Sequence, residues 1–147
     1  MNPAEWPVDI EALNPKEFAY DGKMDTGLLM APECVEKIFW CRNLSGSRIF
    51  ISRGVAETGH VSNSTHYLRP CPAADIIFMD KGFKEVSQIV RRAGFKGVGR
   101  YVNWHYNGKP TCGFHVDTFI GDTIRPRPLE WFYHDGDYIY TTPVAVS

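Results

Sequence analysis

An excess of charge of one sign is missing. Sixteen Lys and Arg stand against seventeen Asp and Glu, a net charge of −1. That excludes a broad electrostatic grip on nucleic acid, leaving room only for a local basic patch, and no nucleic-acid partner is expected. No apolar run approaches the roughly 20 residues of a membrane-crossing helix, so no membrane span is expected. The segment from Met1 to Ile10 lacks a basic start followed by an apolar core, and no Sec-type signal peptide is read there. No Cys-x-x-Cys pair occurs, which excludes a cysteine zinc knuckle and a thioredoxin-type motif. Cys34 and Cys41 would lie about 10 Å apart along a helix, too far for a disulfide. With Cys71 and Cys112 they are expected to be small buried free thiols. Gly97-x-Gly99 lacks a third glycine and precedes strand-like residues, which excludes a dinucleotide loop. No internal repeat or low-complexity tract is visible.

What is present is the composition of one folded domain of 147 residues, 44% hydrophobic and 22% charged. The first sixteen residues, with Pro3, Pro7 and Pro15, read as an extended lead-in. Pro32 suits the first turn of a helix that Val35, Ile38 and Phe39 continue to about Asn43, where Gly46 breaks the chain. Arg48-Ile-Phe-Ile-Ser52 reads as a strand, Gly54 to Ser64 as a loop and Ala73 to Phe78 as a buried strand. Phe83, Val86, Ile89, Val90 and Ala93 recur at helical spacing, with Gly94 as the stop. Gly97 to Val102 reads as a strand, and Asn107-Gly108 as a hairpin turn. Trp131-Phe-Tyr and Tyr138-Ile-Tyr flank a closing hairpin. Two helices and several short, mainly antiparallel strands predict an α+β domain. The late aromatics, Trp104 and Tyr106 among them, without a basic excess, read as core and hairpin surface rather than a base-stacking platform.

Gly113-Phe-His-Val-Asp-Thr-Phe119 alternates with period two. His115 and Asp117 therefore share one face, about 6.5–7 Å apart. Such a pair is either a satisfied surface couple or part of a metal site. Ser64-Thr-His66 ends a polar loop, and Asp75 enters an apolar strand, where a carboxylate needs a partner. That partner is either a hydrogen-bonded turn or a metal. His66, Asp75 and His115 would together give two nitrogens and one oxygen, and three protein ligands with an open position is the pattern of a catalytic zinc.

Ser64-x-His66, Ala74-Asp75-Ile76, Gly97-Val-Gly-Arg-Tyr101 and Phe114-His-Val-Asp117 resemble, in this order and at similar separations, the zinc D-alanyl-D-alanine carboxypeptidases and related murein endopeptidases. These have the lysostaphin/hedgehog-type zinc fold. The resemblance spans Phe18 to Phe119, about two thirds of the chain. It implies a peptidase-like core over residues 17–119 and a C-terminal extension over 120–147. It implies Zn2+ held by His66, Asp75 and His115, and hydrolysis of an amide in the peptide part of bacterial peptidoglycan. Arg53 matches the family's strand-end arginine, for a substrate carboxylate or the developing oxyanion, and Ser64 falls in the substrate-binding position. Asp117 is either the general base or the carboxylate that orients His115.

Two features depart from the family. The segment between His66 and Asp75, Tyr67 to Ala74, is longer than usual and lacks a central glycine. It must bulge, lose the site, or bring Cys71 in as a competing ligand. Many relatives carry an acid where this chain has Cys112. His60, His105 and His134 fit no ligand spacing and read as surface or aromatic-cluster histidines, with lining of the cleft open to His60 or His105. The resemblance implies a bacterial or phage protein made in the cytoplasm, then released to the cell wall through a holin or built into a virion. The alternative to the enzyme is a degenerate, structural member of the fold in a phage tail, baseplate or capsid. The extension would then dock to a virion neighbour by adding a strand, or else pack on its own domain.

Overall fold

The computed structural model describes residues 1–20, 23–59, 64–101, 105–119, 129–134 and 137–141. His60, Trp104, Pro126 and Pro128 lie outside them. The chain is α+β. It comprises a single turn α1 (Met24–Gly27), α2 (Pro32–Ser45) and α3 (Phe83–Arg92), with strands β1 (Ile49–Arg53), β2 (Ala73–Phe78), β3 (Gly97–Tyr101), β4 (His105–Tyr106), β5 (Lys109–Pro110), β6 (Cys112–Asp117), β7 (Leu129–His134) and β8 (Asp137–Thr141). Six strands form one sheet in the order β1-β2-β6-β3-β7-β8. Every pairing in it is antiparallel except that of β3 with β7. The β4–β5 ribbon closes through Asn107 and Gly108, both at positive φ, the turn that Asn-Gly favours. No helix among the described residues is long and apolar enough to cross a membrane.

Pro32 opens α2, and Gly46 follows it in the left-handed conformation. One face of the sheet, with Ile76, Phe78, Phe114, Val116 and Val98, joins Val35, Ile38 and Cys41 of α2 and Val86 and Val90 of α3 in a single apolar core. The other face carries Asp75, His115 and Asp117. The sequence leaves His115 and Asp117 as either a surface couple or part of a metal site, and every residue of β2 and β6 is buried. The reason is what packs on the polar face: the His66 ring and the Trp131 indole, both from segments distant in sequence, lie against His115.

The extended lead-in is corrected. Pro3–Glu5 and Pro15–Phe18 are 3-10 turns, each begun by a reciprocal capping box. Asn2 Oδ1 accepts from the Glu5 amide at 3.1 Å, while Glu5 Oε1 accepts from the Asn2 amide at 3.0 Å. Asn14 and Glu17 repeat the device. The twice-used Asn-Pro-x-Glu is the signal for it: a capping asparagine, a proline at the first position and an acid two residues on. Trp6, Leu13 and Phe18 are thereby delivered into the core, with Trp6 Nε1 donating to the Leu13 carbonyl at 2.8 Å.

The C-terminal hairpin packs on its own domain. β7 pairs along β3, and buried Glu130 accepts from Arg91 of α3 at 2.7 Å, with Arg100 of β3 at 3.8 Å.

All four cysteines are buried free thiols. Burial above all pushes Cys41 and Cys112 up to about 12, Cys71 up to about 11, and Cys34 well above the usual thiol value. Since the thiolate is the reactive form, iodoacetamide at pH 8 is expected to leave the native protein unmodified and to label all four after denaturation. Mass spectrometry reads the difference.

Candidate metal centre

The site is built from a loop and two strands. Thr65–Tyr67 forms a 3-10 turn capped by Ser64, whose Oγ accepts the His66 amide at 3.2 Å. Ser64 is thus occupied in holding the His66 backbone. The long segment after His66 is absorbed by docking it to the N-terminal end of α2. Cys71 donates its amide to the Leu29 carbonyl, and its own carbonyl accepts the Ala31 amide, both at 2.7 Å. The Cys71 thiol lies among backbone carbonyls, nearest those of Ala73 at 3.4 Å and His66 at 3.6 Å. It is not in the ligand cluster, so of the three outcomes open to this loop, the structure shows the bulge.

Arg69 holds the bulge. Its guanidinium donates to the carbonyls of His66 (3.1 Å), Leu68 (2.9 Å) and Ala56 (2.8 Å). The Ala56 amide in turn donates to the His66 carbonyl at 3.2 Å. No sequence signal points to this role. Arg69→Ala is expected to lower stability by about 1–2 kcal/mol, measured by urea denaturation. Arg69→Lys is expected to recover little of it, since one ammonium cannot reproduce the planar fork.

His66, Asp75 and His115 converge. Register places Asp75 opposite His115 across β2 and β6, so both side chains leave the same face. All three residues are buried, and one donor atom from each lies within 4.8 Å of the others. His66 Nε2 is 3.3 Å from Asp75 Oδ1, and His115 Nδ1 is 3.1 Å from it. A zinc ion with bonds near 2.0–2.1 Å in tetrahedral geometry has ligand atoms about 3.3 Å apart, so the two separations suit such an ion.

The hydrogen bonds behind the rings set their tautomers. His66 Nδ1 sits 2.7 Å from the Gly54 carbonyl, which only accepts, so Nδ1 carries the proton and Nε2 turns its lone pair toward Asp75. His115 Nε2 sits 2.8 Å from the Asp117 carboxylate, which leaves Nδ1 for Asp75. Two imidazole nitrogens and a carboxylate oxygen thus meet electron-rich, an arrangement that a cation completes. Without a metal a proton fills this place. Burial opposes the charged ring, yet the bonds to Asp117 and Asp75 outweigh it and raise His115 to about 9. Burial likewise opposes the Asp75 anion, and the protonated His115 ring and the neighbouring His66 hold it well below the usual carboxylate range. The residues therefore fit a divalent metal ion.

Asp117 is fully buried on the side of the His115 ring away from Asp75, and its other oxygen accepts the Phe119 amide at 3.2 Å. That geometry suits orientation of His115. Cys112, three residues before His115, falls on the opposite face of β6 and lies in the apolar core. Arg53 is exposed at the end of β1, opposite Asp75 in register, and reaches that position through a bulge at Ser52. His105 is exposed on β4 and is not in the cluster, and His134 falls in β7.

Trp131, one of the late aromatics read above as core and hairpin surface, is buried beside the metal cluster. Its ring centroid is 5.3 Å from that of His115, at 39° between planes. Gly99, opposite His115 on β3 and opposite Trp131 on β7, makes room, because a Cβ there would collide with the indole. A glycine inside a strand is the sequence signal for such an approach. Comparison with protein-family models, curated proteins and solved structures gives no match.

Proposed function

We propose that this protein is a zinc-dependent peptidase that hydrolyses an amide bond in the peptide part of bacterial peptidoglycan, encoded by a bacterium or a phage and acting at the cell wall. The observation that carries the reading is the convergence of His66 Nε2, His115 Nδ1 and Asp75 Oδ1, taken with the motif order that resembles the zinc D-alanyl-D-alanine carboxypeptidases. A bound zinc supplies a water acidified to a pKa near 7 and polarises a carbonyl. The chain's own residues prepare the site for it. Gly54 holds the His66 tautomer and Asp117 that of His115. Arg53, exposed at the rim, is suited to a peptide carboxylate through its planar fork.

One observation favours a second reading, a metal-stabilised structural domain of a phage particle. Among the described residues the ligand cluster contains a single carboxylate, and both Asp117 and Cys112 are turned away from it. Elemental analysis of wild type beside His115→Ala, followed by digestion of purified peptidoglycan, separates the readings. About one zinc per chain, lost in the variant, together with release of wall peptides, is the expected result. Zinc without digestion supports the structural domain. No zinc, even after supply, overturns the metal centre.

A further inference from the structure

Resting on the metal reading, we infer that Trp131 is a positioning residue of the metal centre, so that the C-terminal hairpin is part of the site rather than an appendage to it. His115 is held at both nitrogens, by Asp75 and Asp117. Those bonds fix which atom points where, but a ring can still rock about the line joining them. The remaining restraint is van der Waals contact on the ring itself. His66 supplies one side, edge-on at 5.2 Å and 69°. Trp131 supplies a further contact at 5.3 Å.

Three features make that contact built rather than incidental. Trp131 is 8% exposed. Gly99 clears the space into which the indole fits. β7 is tied down in parallel register on β3, and next to Trp131 the buried Glu130 is clamped by Arg91 and Arg100. Trp131 also lies beyond Phe119, outside the part of the chain that carries the motif resemblance. Linkage makes the effect reciprocal. If Trp131 stiffens His115 for a metal, a bound metal tightens the docking of β7.

The test uses the full chain, with Zn2+ affinity measured by competition with a chromophoric chelator, and Co2+ as a spectroscopic probe. Variants are Trp131→Ala and Trp131→Phe, each checked for folding by circular dichroism. Trp131→Ala is expected to weaken Zn2+ by about 10-fold or more, the range for groups that orient a ligand. Trp131→Phe is expected to recover most of that loss. Co2+ is expected to quench wild-type tryptophan emission, with the quenching largely lost in Trp131→Phe, where Trp6, Trp40 and Trp104 remain. A folded Trp131→Ala that binds Zn2+ within about 2-fold of wild type overturns the inference. If Trp131→Ala does not fold, Trp131→Leu decides by the same criterion: Zn2+ affinity within about 2-fold of wild type overturns the inference, and a loss of about 10-fold or more supports it. Failure of wild type to bind either ion overturns the metal reading instead, and with it this inference.

Discussion

Asp75→Asn is expected to abolish tight metal binding while the chain stays folded. The amide keeps the shape of the carboxylate but not its charge. Asp75 Oδ1 is the atom that both imidazoles face, at 3.3 and 3.1 Å. Without the anion, two neutral nitrogens remain, and the expected loss of zinc affinity is at least about 100-fold, beyond what removal of a merely orienting group costs. Stability gives a second readout. A ligand at about 1,000 times its dissociation constant stabilises the native state by about 4 kcal/mol, which for a chain of this size is roughly 10 °C in melting temperature. Wild type is therefore expected to lose about that much on chelation, and Asp75→Asn to lose nothing. Calorimetry with and without chelator measures both. An equal response in the two proteins would place the metal elsewhere.

Gly54→Ala is expected to damage fold and site together. A Cβ there would stand 2.6 Å from the Phe18 carbonyl oxygen and 2.8 Å from its Cα, both backbone atoms that cannot rotate away. The same glycine's carbonyl accepts His66 Nδ1, and the next amide, Val55, donates to the Phe18 carbonyl. Relief of the collision must separate β1's end from the 15–18 turn, and the His66 acceptor moves with it. Overpacking of this kind costs about 1–3 kcal/mol. Urea denaturation of the metal-free protein reads that cost, and zinc competition reads the change at His66. Damage to only one of the two would show that they are not coupled through Gly54.

Much of this architecture is legible along the chain. Pro32 and Gly46 bracket α2, the spacing of Val86 and Val90 marks the buried side of α3, and Asn107-Gly108 marks the β4–β5 turn. Each is a local effect, decided by a residue's own backbone preference or by neighbours one helical turn away. The lead-in is misread although it is just as local. Its prolines suggest an extended chain only until each is read with the asparagine before it and the glutamate after it. Period-two alternation puts His115 and Asp117 on one face, and they are there. It cannot show that both faces of β6 are covered, because the cover on the polar face comes from His66 and Trp131, which are distant in sequence.

The α+β class, the two longer helices, most strand positions and the candidate trio of His66, Asp75 and His115 are all readable from the chain, while the short α1 turn is not. Side-chain type and spacing carry that information. The tertiary structure alone decided that the long loop after His66 folds away beneath Arg69, with Cys71 off the cluster. It also decided that Asp117 stands behind His115 and that a tryptophan from the last hairpin lies against a ligand ring. These depend on which side of a ring, sheet or loop an atom occupies. Chain neighbours do not set that; the packing of segments distant in sequence into one space does.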